Sequence, residues 1–478
     1  MKLAIIGGAG VRTPQLLKAL LLRGAPLGLT EIAFMDIDTE RLQQMSMVLD
    51  GIHRNHGSSV KLTFTEDAIE ALTGVKYAFF TIRVGAIDSR ILDEMVPLRH
   101  GVLGQETTGP GGFAMALRTV PVIMQYLRIM EEHAPGATAL NLSNPAGLIS
   151  QAAHQEGFTN IVGICDSPIE LFNDVADGIG IPVDQLWFDY VGINHLGWIQ
   201  MILHKGQDIL PQILQNDDAL LRHGKAMIEP EFIRALGVIP NEYLMFYYNT
   251  TSIVKQLTSN NSSRGEMIHA LNQRFFAELS LAASTADPVK TALRVYQKYA
   301  RARDATYMRL ETESVAQDDA GLDEIWNQTT VAGDHSDTEP EGYSAIAMAI
   351  ILALHGTAPT TTTLNVPNRS VIPCLEPEDV VEVLARIDSN GVHPFRPIKA
   401  IPEQCRGLLQ AVKSYERLAV QAAMEQSYRK ALLALTGHPL VPDALVARHM
   451  LDDICRAHRP YLSGELARRC ESSTIDEP

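Results

Sequence analysis

Hydrophobic and polar positions alternate through the first 165 residues between short apolar runs and segments with helical spacing. Apolar runs of strand length lie at 2–6, 31–35, 76–82, 137–142 and 160–164. Between them, apolar residues recur at helical spacing over 14–23, 39–48, 113–133 and 146–156. Strands that alternate with helices are typical of a parallel sheet covered on both faces. This part of the chain therefore predicts a doubly wound α/β sheet.

Helical spacing dominates the chain from about residue 170 onward. It predicts helices over 169–178, 210–224, 229–236, 263–284, 287–303, 342–355, 403–434 and 440–457. Strand-like runs remain at 188–192, 198–203 and 370–383. We therefore predict an N-terminal parallel α/β domain over 1–170 and a helix-rich, mixed α+β catalytic domain over 171–478. Within the second domain, 313–341 is acidic and poor in apolar residues, which predicts a surface insertion.

Composition and charge exclude several classes of partner. The chain is 46% hydrophobic and 20% charged, as expected for a globular protein, and its net charge of −16 is offset by no basic run. We therefore expect no nucleic-acid partner. The longest apolar run, Ala345 to Leu354, is too short to span a membrane, so we expect no membrane partner. The five scattered cysteines form no C-x-x-C pair, which favours a reducing cytoplasm.

A glycine cluster follows the first predicted strand and precedes the first helix. Gly8 and Gly10, which follow Gly7, fit the pattern G-x-G-x-x-G, with Thr13 in place of the third glycine. Glycines let the backbone approach a pyrophosphate, and the helix N-terminus then offers free N–H groups. Asp36 ends the second strand, where its carboxylate would accept from the ribose hydroxyls and repel the 2′-phosphate of NADP. The pattern predicts a Rossmann-type domain that binds NAD; a tight turn without a ligand is the alternative.

Three further segments are rich in polar and turn-forming residues. They are 83–90 with 104–112, 141–147 with 163–168, and 192–197. The first two follow predicted strands, and ligands of open α/β sheets bind beyond the carboxyl ends of the strands. Cys165 and His195 offer one soft and one borderline ligand, which suits Mn, Fe, Co, Ni or Zn. A buried structural cysteine and a buried structural histidine remain the alternative at this point.

The joint order of these motifs resembles the family 4 glycoside hydrolases, the NAD- and divalent-metal-dependent 6-phosphoglycosidases. The resemblance covers residue 1 to about 270, and more faintly continues to about 383. Its motifs are Gly-Gly-Ala-Gly, Gly-Gln-Glu-Thr-Thr-Gly-Pro-Gly-Gly-Phe, Ser-Asn-Pro-Ala-Gly, Gly-Ile-Cys-Asp and Gly-Ile-Asn-His-Leu-Gly-Trp. Each motif is common by itself, whereas their combination is specific.

The resemblance implies a redox-assisted elimination, an exception to the two-carboxylate scheme of most glycosidases. The sugar is oxidised at C3 by hydride transfer to NAD, and a base then removes the proton at C2. A divalent metal stabilises the enediolate as a Lewis acid. The leaving group departs from C1, water adds, and the hydride returns, so that NAD acts as a catalyst.

The resemblance also implies a role for individual residues, and Gly7, Gly8, Gly10 and Asp36 are the expected NAD contacts. The remaining assignments are Cys165 and His195 as ligands of Mn²⁺ or another divalent transition metal, Tyr243 as the base, Asp166 as the acid, Arg83 and Arg264 as substrate-phosphate contacts, and Asn144 as a sugar-hydroxyl contact. Glu106 lies in a family motif without an assignable role. Because Phe246, Tyr247 and Tyr248 lie close by, the base could be displaced by a few positions.

The anomer of the substrate depends on two conflicting signals. Asp166 after Cys165 resembles the phospho-α-glucosidases, whereas the stretch 111–121 and the motif at 192–198 resemble the phospho-β-glucosidases. We give the longer stretch more weight and predict a 6-phospho-β-glucosidase, with a homodimer or homotetramer as its assembly. The alternatives are a 6-phospho-α-glucosidase, a glycosidase for another anionic sugar such as a sulfonate, a malate- or lactate-type dehydrogenase, and a non-enzymatic nucleotide sensor.

Overall fold

The computed structural model describes residues 1–222, 228–259, 263–305, 326 and 342–472. Most of the predicted acidic insertion, 313–341, therefore lies outside the described residues, and only Trp326 of it is described. Within the described ranges, no helix is both long enough and apolar enough to cross a membrane.

The strands of the described chain follow the order of the predicted apolar runs and add several short ones. They are β1 (Lys2–Ile6), β2 (Glu31–Met35), β3 (Lys61–Thr65), β4 (Val75–Phe80), β5 (Thr138–Asn141), β6 (Ile161–Gly163), β7 (Leu186–Ile193), β8 (Leu196–His204), β9 (Gln207–Asp208), β10 (Ile239–Pro240), β11 (Thr360–Pro367), β12 (Val380–Asp388) and β13 (Gly391–Pro394).

The α-helices of the described chain alternate with the strands in the first half and dominate the second. They are α1 (Thr13–Arg23), α2 (Thr39–His56), α3 (Ala68–Leu72), α4 (Ala86–Arg99), α5 (Gly109–His133), α6 (Ala146–Gln155), α7 (Ser167–Ile179), α8 (Leu210–Ile213), α9 (Asp217–Arg222), α10 (Pro230–Leu236), α11 (Met245–Tyr248), α12 (Thr250–Ser259), α13 (Arg264–Ala282), α14 (Pro288–Asp304), α15 (Gly342–Leu354), α16 (Glu403–Glu425), α17 (Tyr428–Gly437), α18 (Ala444–Ala457) and α19 (Gly464–Ser472). Short 3₁₀ turns cover Ala25–Leu27, Val183–Gln185, Glu242–Leu244 and Arg459–Tyr461.

The first six strands form the parallel sheet that the sequence predicts. Their order is β3-β2-β1-β4-β5-β6, and every neighbouring pair among them is parallel. This is the order of the dinucleotide-binding Rossmann fold. The predicted fold class, a Rossmann-type sheet followed by a helix-rich mixed part, is confirmed.

The sheet continues beyond β6 through strands from the second half of the chain. Strand β11 pairs with β6, and β12, β7, β8 and β10 follow in antiparallel pairs, with β13 on β12 and β9 on β8. All described strands thus belong to one sheet. Gly163, Asn365, Glu382 and Gly192 are partners in one row across β6, β11, β12 and β7. The domain boundary at residue 170 stays a prediction.

Several elements differ from the sequence prediction for local physical reasons. Strand β3 was not predicted, because it is a partly exposed edge strand whose apolar residues merely alternate. Helix α4 was not predicted, because four of the side chains that it buries, those of Ser89, Arg90, Asp93 and Glu94, are polar. The predicted helix 403–434 is interrupted at Gln426, whose φ of +51° ends α16. The predicted strand 370–383 begins only at Val380.

The two halves of the chain share one core. Helix α16 packs on α5 and α6, which cover the parallel strands, and α13 and α14 pack on α2 while α13 also packs on α4. Buried residues from both halves form one continuous cluster. This packing holds the N-terminal end of α13 close to α4, where several candidate site residues lie.

Candidate active site at the carboxyl ends of the strands

The glycine turn after β1 has the geometry of a dinucleotide site. The N–H groups of Gly7 and Gly8 both donate to the carbonyl of Met35, at 2.9 and 2.8 Å. Gly7 has a φ of +96°, and a Cβ there would lie 2.4 Å from the Thr81 carbonyl oxygen, so only glycine fits. Helix α1 begins soon afterwards and directs its N-terminus toward the turn, which suits a pyrophosphate.

Asp36 is linked directly to this turn. Its Oδ2 accepts from the N–H of Ala9 at 2.9 Å, and its Oδ1 accepts from the N–H of Asp38 at 3.1 Å. Partial burial raises the pKa of Asp36 above its usual value, against the lowering effect of these hydrogen bonds. The carboxylate therefore lies beside the glycine backbone, as a contact with the ribose hydroxyls requires.

His195 lies in the two-residue turn between β7 and β8. It has a φ of +60° and is only 5% exposed. Its Nδ1 lies 3.0 Å from the Thr107 Oγ1, which donates its own hydrogen to Gln105 Oε1 at 3.0 Å. Thr107 Oγ1 must therefore accept from Nδ1–H, which leaves the Nε2 lone pair for a metal. Burial lowers the pKa of His195 to about 4, so that the ring is neutral at pH 7.

Cys165 follows β6 and is 2% exposed. The side-chain amide of Asn194, the residue before His195, donates to the sulfur of Cys165. This bond brings the two predicted metal ligands together. Burial raises the pKa of the Cys165 thiol well above its usual value, and the carboxylates of Glu382 and Asp166 raise it further. A cation would replace the thiol proton.

The donor set of this site fits an open transition-metal centre. Among the described residues, no group of three or more His, Cys, Asp or Glu side chains is placed to hold a metal ion. Cys165 and His195 are therefore two protein donors that would leave coordination positions for substrate oxygens. Thiol sulfur and imidazole nitrogen suit Mn, Fe, Co, Ni or Zn rather than Ca or Mg.

Tyr243 lies directly on the predicted metal ligand. Its ring stacks on the imidazole of His195 with a centroid distance of 3.8 Å and an interplanar angle of 3°. The 3₁₀ turn that carries it is capped by Asn241, whose Oδ1 accepts from the N–H of Tyr243 at 3.0 Å. Of the neighbouring tyrosines, Tyr248 accepts from Trp198 at 3.1 Å, and Tyr247 lines a pocket together with His195, its ring next to that of His438. The geometry thus favours Tyr243 among the tyrosines of this segment.

Glu106, which the sequence left without a role, joins two arginines. Its Oε2 lies 2.5 Å from a guanidinium nitrogen of Arg83 and 2.8 Å from one of Arg90. Burial by itself would raise the pKa of Glu106, but Arg83 and Arg90 hold it well below the usual range. Glu106 is therefore a fixed negative charge that orients both guanidinium groups.

The same network reaches the N-terminal end of α13. Arg90 also pairs with Glu94 at 2.8 Å, and the other oxygen of Glu94 accepts from the N–H of Gly265 at 2.6 Å. Arg264 is the first residue of α13. Glu106, Arg90 and Glu94 therefore connect Arg83 to the backbone at the start of α13, next to Arg264. Guanidinium groups such as those of Arg83 and Arg90 suit an anion.

Asp166 directly precedes α7, and its carboxylate is hydrogen-bonded to Tyr343. The hydroxyl of Tyr343 donates to the Asp166 carboxylate, and the guanidinium of Arg12 lies 4.7 Å from the centre of the Tyr343 ring. Burial raises the pKa of Asp166, while Arg12 and the Tyr343 hydrogen bond act in the opposite direction. A raised pKa suits a group that donates a proton.

Asn144 lies half-buried after β5, close to the segment that carries Arg83. The connection is made by its neighbour Ser143, whose Oγ accepts from the N–H of Ile82 at 2.9 Å. The ends of β4 and β5 are thus held together. A sugar hydroxyl contact from Asn144 is compatible with this position.

Sequence reasoning missed the buried carboxylates of Glu94, described above, and of Glu382. Glu382 of β12 is 1% exposed and accepts from Asn194, Tyr190 and Asn365. Burial raises the pKa of Glu382 to about 7. The available signal was the charged residue inside the apolar run Val-Val-Glu-Val-Leu at 380–384, which a purely structural strand would not require.

Comparison with known proteins extends over most of the chain. The family model described as Family 4 glycosyl hydrolase matches residues 2–181, and that of the Family 4 glycosyl hydrolase C-terminal domain matches 190–441. A 6-phospho-beta-glucosidase of Escherichia coli is 27% identical over 477 residues, which cover 97% of this chain and 96% of that protein. The 6-phospho-alpha-glucosidase 1 of Lacticaseibacillus paracasei is 29% identical over 463 residues, which cover 96% and 97%.

A solved structure is similar over the same length. The 6-phospho-beta glucosidase from Thermotoga maritima, determined with manganese, NAD+ and glucose-6-phosphate, has a TM-score of 0.77 and 25% identity. The match covers 97% of this chain and 100% of that chain. The similarity therefore includes the parallel strands and the helix-rich second half together.

Proposed function

The chain belongs to family 4 of the glycosyl hydrolases, and on that basis we propose that it hydrolyses 6-phospho-β-glucosides with NAD and Mn²⁺ or another divalent transition metal. The observation that carries this proposal is the stacking of Tyr243 on His195 at 3.8 Å. It places the candidate base, Tyr243, in contact with the candidate metal ligand, His195. The similarity to a 6-phospho-β-glucosidase determined with manganese, NAD+ and glucose-6-phosphate supports the cofactors and the substrate class.

The side chains that would hold the two cofactors lie at the ends of neighbouring elements. When bound, NAD supplies a hydride acceptor for the sugar C3, and the metal supplies a Lewis acid for the sugar oxygens. Gly7, Gly8, Gly10 and Asp36 would hold the dinucleotide. Cys165, as a thiolate, and the Nε2 of His195 would hold the cation. Both candidate metal ligands are buried.

Proton transfer is assigned to two residues beside this cation. Tyr243 accepts the proton from C2, because a cation next to a phenol favours its ionised form. Asp166 donates a proton to the leaving group at C1, which agrees with the raised pKa of its buried carboxyl group. The hydrogen bond from Tyr343 fixes the direction of this carboxyl group.

Recognition of the phosphate and the sugar falls to the other predicted residues. Arg83 and Arg264 bind the 6-phosphate, because guanidinium groups match phosphate oxygens in charge and in geometry. Glu106 keeps Arg83 in place when no substrate is present. Asn144 contacts a sugar hydroxyl.

The 6-phospho-α-glucosides are the second candidate substrates. The pairing of Asp166 with Tyr343 supports them, because a carboxylic acid next to the metal cysteine resembles the α-specific branch of the family. The 29% identity to a 6-phospho-α-glucosidase of Lacticaseibacillus paracasei points the same way. A glycoside with another anionic 6-substituent, such as a sulfonate, is compatible with the same arginines.

The organisation of the chain is part of the same proposal. Residues 1–170 form the NAD-binding domain, and residues 171–478 supply the substrate and metal domain. The protein assembles as a homodimer or homotetramer in the cytoplasm. Size-exclusion chromatography with light scattering tests the assembly, since a monomer at micromolar concentration would contradict it.

The decisive experiment compares four chromogenic substrates under reducing conditions. Hydrolysis of the 6-phospho-β-glucoside should exceed that of the α-anomer and of both unphosphorylated glucosides. It should require both NAD and Mn²⁺ and cause no net formation of NADH. Hydrolysis that continues after removal of both cofactors would contradict the mechanism, and preference for the α-anomer would transfer the assignment to the second candidate.

The same assay separates the enzyme from a dehydrogenase. A malate- or lactate-type enzyme needs a His–Asp pair, whereas Nδ1 of His195 is bonded to Thr107. Incubation with malate or lactate and NAD should therefore produce no NADH.

A further inference from the structure

We propose that Glu382 is a positioning residue of the metal site, which it orders through Asn194 and to which it adds a buried negative charge. The inference rests on the proposed function insofar as Cys165 and His195 bind a divalent metal. Glu382 lies on β12, and its partner Asn194 lies 188 positions earlier in the sequence, next to His195.

The first argument is the set of hydrogen bonds around Glu382. One carboxylate oxygen accepts from the amides of Asn194 at 3.0 Å and Asn365 at 3.1 Å, and the other accepts from the hydroxyl of Tyr190 at 3.1 Å. Gly197 makes room for that hydroxyl, because a Cβ at Gly197 would lie 2.3 Å from it. Donors from β7, β11 and the turn between β7 and β8 thus hold the carboxylate in one orientation.

The second argument is the way Asn194 uses its side chain. Its amide nitrogen has two hydrogens, one for Glu382 and one for the sulfur of Cys165. Its Oδ1 accepts from the N–H of Gly147 at 3.3 Å. Asn194 is therefore fixed on three sides, with Glu382 setting the direction of the amide group. Because His195 follows directly, the same contacts determine where both metal ligands lie.

The third argument is charge. Glu382 is 1% exposed, and the groups that donate to it, from Tyr190, Asn194 and Asn365, are all neutral. No lysine or arginine in the described part of the chain forms an ion pair with it; the nearby buried Lys413 pairs with Glu416. Buried charges are normally paired or lie beside metals. A divalent cation on Cys165 and His195 would supply a compensating positive charge.

The test is the affinity of the reduced protein for Mn²⁺ itself, measured by the electron paramagnetic resonance signal of free Mn²⁺. Glu382→Gln keeps the shape and removes the charge, and we expect the Kd for Mn²⁺ to rise about 10- to 100-fold, as for other residues that orient metal ligands. Asp189→Asn is the matched control. Asp189 is also a buried carboxylate near Tyr190, but it accepts from Gln200 and the backbone of Ile398. Its variant should bind Mn²⁺ like the parent.

The outcomes separate this inference from the proposed function. If the parent protein binds no Mn²⁺, the metal assignment itself is wrong. If the parent binds Mn²⁺ and Glu382→Gln binds it equally well, or if Asp189→Asn loses as much affinity, the inference is overturned. Thermal unfolding without metal shows whether each variant is folded. Should the glutamine variant not fold, Glu382→Asp tests the positioning, because it shortens the side chain, and an unchanged Kd would overturn the inference.

Discussion

The ring of Tyr243 lies flat on the imidazole of His195, with a centroid distance of 3.8 Å and an interplanar angle of 3°. This relationship fixes the position of the candidate base relative to the candidate metal. Tyr248, in contrast, accepts a hydrogen bond from Trp198. The stacking places the phenol ring beside the candidate metal ligand His195.

We expect Tyr243→Phe to lower kcat about 100- to 10,000-fold, the usual range for loss of a general base. Its affinity for Mn²⁺ and NAD should remain close to that of the parent, because the ring and its stacking on His195 are retained. In heavy water, the parent should incorporate deuterium at C2 of the recovered sugar. The control is Tyr248→Phe, five positions further along the chain, which should keep both activity and deuterium incorporation. Full activity of Tyr243→Phe would transfer the base to another residue.

We expect Asp36→Asn to raise the Kd for NAD about 10- to 100-fold, the cost of losing hydrogen bonds to a charged group. The preference for NAD over NADP should decrease, because the carboxylate no longer repels the 2′-phosphate. Fluorescence titration with both nucleotides measures these changes. Asp67→Asn is the matched control, since Asp67 follows the neighbouring strand β3 and caps α3. Equal losses in both variants would mean that the effect is not specific to the ribose.

We expect Arg83→Ala and Arg264→Ala each to lower kcat/KM for the 6-phosphoglucoside about 10- to 100-fold, because each removes charge-assisted hydrogen bonds. Hydrolysis of the unphosphorylated glucoside should change much less, so the preference for phosphate decreases. Arg128→Ala serves as the control, because Arg128 forms an exposed pair with Glu156. A parallel loss on both substrates would indicate a structural role and argue against phosphate binding.

Glu106→Gln should change the pH dependence of stability. Because Arg83 and Arg90 hold the pKa of Glu106 below its unfolded value of 4.5, its ionised form stabilises the fold above about pH 4.5. This contribution decreases as the pH falls below that value. The stability difference between parent and variant should therefore reach up to about 3 kcal/mol near neutral pH and become smaller on acidification.

Urea unfolding at several pH values, from about 3.5 to about 7.5, measures the stability difference between the parent and Glu106→Gln. The exposed Glu403, which pairs with Arg406 on the surface, provides the control variant Glu403→Gln. That variant should unfold like the parent at every pH. A Glu106→Gln effect that does not depend on pH would show that the arginine pairing contributes nothing.

The sequence alone determined the parallel half of the fold and the dinucleotide turn. Strands β1 and β2 are buried on both faces, so they read as continuous apolar runs. Gly7 and Asp36 are recognisable because backbone geometry and ligand contact restrict the residue types at these positions. The motif order also indicated Cys165, His195 and Tyr243, although their roles came from the family resemblance.

Only the tertiary structure decided which polar residues act together. Glu106 pairs with Arg83 and Arg90 because α4 is a helix, which the hydrophobic pattern did not predict. Asn194 and Glu382 meet across 188 positions because β12 inserts between β7 and β11 in one register. Local patterns carry propensity and burial, whereas such pairs depend on helix packing and strand register between distant segments. These contacts between distant segments bring the separate sequence motifs together in one site.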